Sequence, residues 1–246
     1  MEGSTGTLGK VELGVNGMTT PNIVFVVEAE PKSGKTHWAC TCPEPIFLLS
    51  LDLGAKPIVE KFPDKKIVVK EMPMPLFDSL SATDLGFDKF WREVKQAVYE
   101  AVDSGEYKTI VIDTGTALWE IIRYGYNEEE GKAVGASSKA RSYGEPNARM
   151  YGIITKCQLA GVNLVLLHYI TDVYENDQAT GKKKLDGWRR TEGLADVVLV
   201  NRKERIKGKT GSTFVTTIKD CRFDHTLDGT DIDMATYDDI ITLLGF

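Results

Sequence analysis

The stretch Ile23-Val24-Phe25-Val26-Val27-Glu28-Ala29-Glu30-Pro31-Lys32-Ser33-Gly34-Lys35-Thr36 decides the fold. Its first half is an unbroken apolar run rich in β-branched residues, the pattern of a strand buried on both faces. Its second half is a tight turn that ends in Gly-Lys-Thr and leads into a helix. Such a strand-turn-helix makes a phosphate-binding loop, because backbone N–H groups and the positive end of the helix converge on an anion. In that loop Lys35 reaches the β- and γ-phosphates of a nucleotide, and the Thr36 hydroxyl completes a Mg2+ shell. Ala29, Pro31, Lys32, Ser33 and Gly34 form the rest of the cradle. The full pattern is G-x-x-x-x-G-K-[ST], and this chain has Ala29 in place of the first Gly. Ala is tolerated there if φ is negative and strained if φ is positive.

Outward from the loop, strands and helices alternate. Pro43 and Pro45 stop the helix after Thr36, and Ile46–Leu51 forms a second apolar run bounded by Asp52 and Gly54. Lys66–Lys70 is β-rich, and a Met/Pro loop follows it. Phe87, Phe90, Trp91, Val94, Val98 and Ala101 recur at steps of three and four, a helical stripe ended by Ser104-Gly105. Thr109–Asp113 is a third buried strand, and helix Ala148–Ala160 with strand Val162–Leu167 repeats the theme. This alternation predicts a mainly parallel α/β sheet flanked by helices. Beyond it, Ala195–Arg205 and Ser212–Lys219 read as a hairpin that adds antiparallel strands. Thr236 caps a last helix, with Asp239 three residues on. Glu128–Arg149 is the longest stretch without periodicity.

At 246 residues, with 42% hydrophobic and 27% charged side chains, the chain suits an α/β enzyme rather than a disordered or membrane protein. No apolar run reaches the roughly 20 residues that span a bilayer, and Met1–Thr20 lacks the pattern of a secretory leader; both point to the cytoplasm. Cys40, Cys42, Cys157 and Cys221 are too scattered for a disulfide framework. His37, Cys40 and Cys42 cluster in sequence, but an i, i+2 pair does not share a helix face, which argues against a metal site. The formal net charge of −6 excludes a protein that coats nucleic acid by global charge. Two local basic clusters stand out: Lys182, Lys183, Lys184, Arg189 and Arg190, and Arg202, Lys203, Arg205, Lys207 and Lys209.

Hydrolysis needs more than a phosphate loop. Asp113, at the end of its strand, suits the Mg2+-holding carboxylate. Asp52 and Glu28, both at strand C-terminal ends, are the candidates to orient water, with Asp52 preferred. His168 ends the strand Val162–Leu167, where it either senses the γ-phosphate or is a satisfied polar residue.

Five blocks carry a family resemblance: Ala29–Thr36, Thr109–Thr114, Tyr143–Met150, Gly161–His168 and Ala235–Ile241. In this order and spacing the chain, over Ile23–Phe246, resembles the RecA-like P-loop ATPases of bacteriophages, a group of AAA type associated with single-strand annealing and recombination. The resemblance implies a RecA-like ATPase domain over residues 21–246, behind a flexible arm over 1–20. It implies ATP and Mg2+ as ligands, and a homo-oligomer, ring or filament, with nucleotide between subunits. Single-stranded DNA and an annealing or single-strand-binding protein are the implied partners, in the host cytoplasm if the gene is a phage's. By position, Lys35 and Thr36 are the phosphate and Mg2+ ligands, Asp113 the second-strand acid and His168 the sensor; Asp52 stands where the family pattern has Glu. Gly125–Asn147 and Tyr169–Arg190 correspond to two DNA-facing loops. In the second, Lys182, Lys183, Lys184, Arg189 and Arg190 would track phosphates and Trp188 would stack on a base, unless the lysines are a solvated turn and Trp188 is core. Arg189, Arg190, Lys203 and Arg222 are candidates for a finger completing a neighbour's site. A module that binds ATP with little hydrolysis and recruits an annealing partner is the alternative reading.

Overall fold

The computed structural model describes residues 21–136, 143–206 and 210–246. The expected arm over 1–20 lies outside these residues, as do Lys207 and Lys209. In chain order the elements are β1 (Val24–Ala29), α1 (Lys35–Ala39), β2 (Ile46–Ser50), α2 (Lys56–Val59), β3 (Ile67–Glu71), α3 (Phe87–Asp103) and β4 (Thr109–Asp113). There follow α4 (Gly115–Glu129), α5 (Gly144–Ala160), β5 (Asn163–Glu175), β6 (Gln178–Asp186), α6 (Thr191–Leu194), β7 (Val197–Arg205), β8 (Ser212–Cys221), β9 (Asp231–Asp233) and α7 (Tyr237–Leu243).

The strands form one sheet in the order β3-β2-β4-β5-β1-β7-β8-β9, with β6 paired to β5. Every pairing from β3 to β7 is parallel. β6, β8 and β9 join antiparallel. The expected antiparallel hairpin is therefore present, but its first strand, β7, also runs parallel to β1.

Strand alternation divides the core into two layers. Val24 and Val26 of β1 pack with Leu164 and Leu166 of β5 under α3, α4 and α5, through Trp91, Val94, Leu118, Ile122, Ile153 and others. Phe25 and Val27 pack with Val165 and Leu167 against Trp38 of α1 and Ile240 of α7. The stripe read on α3 is its buried face, although Phe90 is only partly covered. α7 carries the expected capping box between Thr236 and Asp239.

Two segments depart from the sequence reading. Helix α5 begins at Gly144 and α4 runs to Glu129, so most of the aperiodic ends of Glu128–Arg149 are helical; residues 137–142 lie outside the described chain. The segment Tyr169–Arg190 is chiefly a hairpin rather than a loop: β5 continues to Glu175 and β6 returns beside it. Apart from the buried Leu185, opposite Ile170, the returning strand β6 is mostly exposed and polar. Hydrophobic alternation, the signal by which a half-buried strand is recognised, is absent there. Among the described residues no helix is long and apolar enough to cross a membrane.

Candidate functional site

The turn after β1 takes its positive φ at Lys32 (62°) and Gly34 (87°). Ala29 continues the buried strand, so the missing Gly carries no conformational cost at that position. The φ of Gly34 is one that L side chains rarely adopt, and a Cβ there would also stand 3.1 Å from the Phe214 ring, which would have to give by a few tenths of an ångström. Helix α1 has only five residues and no side-chain cap. Its dipole is correspondingly small, and attraction of an anion rests on the free N–H groups of the turn and on Lys35.

Lys35 is buried, its Nζ donating to the carbonyls of Ala29 (3.2 Å) and Glu30 (3.1 Å). The same ammonium lies 4.2 Å from the centroid of the Tyr169 ring. Burial pulls its pKa down to about 8, against the opposing pull of Asp113 and Asp52. Strand β4, two places away in the sheet, delivers Asp113, whose Oδ2 accepts a hydrogen bond from Thr36 Oγ1 at 2.8 Å. Burial, and next the charge of Asp52, raise Asp113 to about 6, while Thr36 and Lys35 oppose the rise. A hydroxyl and a carboxylate converging at that distance are hard oxygen donors, the set Mg2+ prefers.

Asp52 lies just beyond β2 and is exposed. Its Oδ1 accepts from the Gly54 N–H (3.0 Å) and its Oδ2 from the Tyr169 hydroxyl (3.0 Å). Lys35, Thr36, Asp52, Asp113 and Tyr169 thus gather at the C-terminal ends of β1, β2 and β4, beside the middle of β5, the edge where open α/β sheets bind ligands.

A family model for the AAA domain, AAA_24, matches residues 21–217. The chain belongs to this family. No curated protein matches it. Among solved structures it is similar to a KaiC-like protein from the hyperthermophilic archaeon Pyrococcus horikoshii OT3, with a TM-score of 0.50 and 15% identity over 89% of this chain and 87% of that one. That likeness concerns the fold, a RecA-like P-loop core with a mainly parallel sheet, helices on both faces and antiparallel strands toward the C-terminus.

His168 and Glu28 fall elsewhere. They are neighbours across β5 and β1, on the sheet face opposite α1. His168 is wholly buried between Gly115 and Gly187: a Cβ on either would stand 2.4 Å from its Nε2 or 3.0 Å from its Nδ1. Its Nδ1 lies 3.3 Å from the Asp186 carbonyl, its Nε2 has no partner among the described residues, and burial lowers its pKa to about 4. The imidazole therefore lies on the face of the sheet away from α1 and the phosphate loop. Glu28 is buried and paired with Lys219 (2.9 Å), which also binds Glu192. Burial raises Glu28 to about 7 against the opposing effect of Lys219. Of the two carboxylates weighed for orienting water, Asp52 shares the loop's side and Glu28 does not.

Tyr169 is the residue that sequence reasoning missed. Adjacent strand residues point to opposite faces, so one of His168 and Tyr169 had to face the loop. The register Ala29↔Tyr169 between β1 and β5 selects Tyr169.

The residues expected to meet DNA are dispersed. Lys182, Lys183 and Lys184 lie on β6 and alternate between the hairpin's faces. Lys183 is held by Asp172 (2.8 Å) and by Glu30 of the phosphate loop (3.2 Å). Arg189 and Arg190 are exposed. Trp188 is only 3% exposed, its Nε1 donating to Asn147 Oδ1 (2.7 Å) and its ring packed on Tyr151 and Trp119. It is a core residue and offers no face to a base. Of the finger candidates, Lys203 is exposed and Arg222 pairs with Asp196 (2.7 Å). Cys40 and Cys42 are buried, and burial raises the pKa of both thiols.

Proposed function

We propose that the chain is a Mg-ATP hydrolase that works on single-stranded DNA in phage-type recombination or annealing. The observation that carries the ATPase reading is the meeting of Thr36 and Asp113 beside a buried Lys35. Lys35 holds two loop carbonyls that it exchanges for β- and γ-phosphate oxygens when nucleotide enters. Thr36 and Asp113 are the residues that would hold Mg2+, which when bound neutralises charge developing on the phosphates. Asp52, with oxygen lone pairs left over after its bonds to Tyr169 and Gly54, orients the attacking water.

Replacing Lys35 with Ala is expected to abolish nucleotide binding, read with a fluorescent ATP analogue. Asp113→Asn is expected to keep binding and to lower Mg2+-dependent turnover by about a hundred-fold or more. Near-parental affinity in the Lys35 variant would place the nucleotide elsewhere.

The DNA reading is supported by the family resemblance and by the β5–β6 hairpin, which rises from the site and exposes Lys182 and Lys184. Self-assembly, with ATP shared between protomers, belongs to the same proposal. A second reading, a nucleotide-dependent switch with little hydrolysis that recruits an annealing partner, is favoured by the short reach of Asp52. Turnover with and without single-stranded DNA separates the two: stimulation supports the hydrolase, and silence the switch.

A further inference from the structure

Tyr169 touches both charged centres of the site and begins the hairpin. Its hydroxyl donates to Asp52 Oδ2 at 3.0 Å, its ring lies under the Lys35 ammonium, and its N–H donates to Thr116 Oγ1 at 3.0 Å. Thr116 Oγ1 in turn donates to the carbonyl of Asp186, the residue opposite Tyr169 on β6. The ring is thus held at the hairpin's root by backbone bonds on both strands. Asp52 has no such anchorage: it is exposed, in a bend, and among the described residues only the Gly54 N–H and the Tyr169 hydroxyl hold its carboxylate. Burial and the adjacent Asp52 raise the Tyr169 pKa, so the phenol keeps the proton it donates.

From this we infer that Tyr169 is the positioning residue for Asp52, fixing the carboxylate that orients water and tying that geometry to the root of the β5–β6 hairpin. The inference rests on the hydrolase reading and deepens it. Without the phenol hydroxyl, the Asp52 carboxylate keeps the bond from the Gly54 N–H but samples more orientations of its second oxygen. The fraction of time it spends aligned falls, while the phosphate cradle is untouched.

The test is a double-mutant cycle on the full chain with Tyr169→Phe, Asp52→Asn and both together, read as kcat, KM and affinity for a slowly hydrolysed ATP analogue. Tyr169→Phe keeps the ring over Lys35 and removes only the hydroxyl. It is expected to lower kcat about ten-fold with analogue affinity within about two-fold of the parent. In the Asp52→Asn background the same change is expected to have no further effect, since the acceptor it positions has lost its charge. An undiminished ten-fold loss in that background, or a loss of affinity with kcat unchanged, overturns the positioning role while leaving the hydrolase reading intact. A parent chain that binds the analogue but does not turn over ATP overturns both, and is recognised before any variant is made.

Discussion

His168 illustrates how one position decides between a site and a scaffold. Its ring is enclosed by the two glycines that flank it, and no solvent reaches it. A histidine with an ordinary pKa near 6.5 when unfolded and about 4 when folded binds fewer protons in the native state. The stability it confers is present above pH 6.5 and is lost as pH falls through 4, amounting to about 3 kcal/mol. Urea unfolding between pH 7 and pH 4 is expected to show this loss in the parent and to show it reduced in His168→Gln. An equally steep acid dependence in the variant would assign the slope to other groups. Gly115→Ala is expected to destabilise by about 1–3 kcal/mol, because its Cβ would collide with the same ring; thermal melts check it.

Among the elements, the β5–β6 hairpin departs most from a simple basic loop. Alternation along β6 puts Lys183 on one face and Lys182 and Lys184 on the other, and only Lys183 is tied to the phosphate loop, through Glu30. Replacing Lys182 and Lys184 with Ala is expected to weaken single-stranded DNA binding at every sequence and to flatten its salt dependence by about 1.4 log units per log unit of salt, about 0.7 for each lysine. Glu30→Gln frees Lys183 from one of its two acids. An exposed pair is weak and screened, so the expected gain in DNA affinity is only about two- to five-fold at low salt, and it should vanish when Lys183 is also Ala. No gain in a filter-binding titration would show that Lys183 does not contact DNA. Trp188→Ala, by contrast, removes a buried ring and its bond to Asn147. It is expected to cost about 3–5 kcal/mol of stability in chemical denaturation rather than to weaken DNA binding selectively.

For the whole molecule, the proposed site sits at the C-terminal edge of the sheet, between the ends of β1, β2 and β4 and the middle of β5. With a non-hydrolysable ATP analogue and single-stranded DNA, electron micrographs are expected to show rings or filaments; monomers under every condition would remove the shared site from the proposal. The α/β alternation, the phosphate loop, the acid at the end of β4 that meets Thr36 and the C-terminal cap were all legible in sequence. Each rests on local chemistry: buried strands are apolar runs, Gly-Lys-Thr follows one of them, and Thr236 with Asp239 satisfies nearby N–H groups. Other features depended on which strands lie side by side and in what register. The Ala29↔Tyr169 pairing turns Tyr169 toward Lys35 and buries His168 behind the sheet. The return of β6 makes a hairpin of an apparent loop, and the packing of α5 claims Trp188 for the core. Sequence determined the buried strands of the parallel sheet and the loop's chemistry because those are set within a few residues. Tertiary structure alone decided which side chains face the site, because a strand's two faces are equivalent until its neighbours are in place.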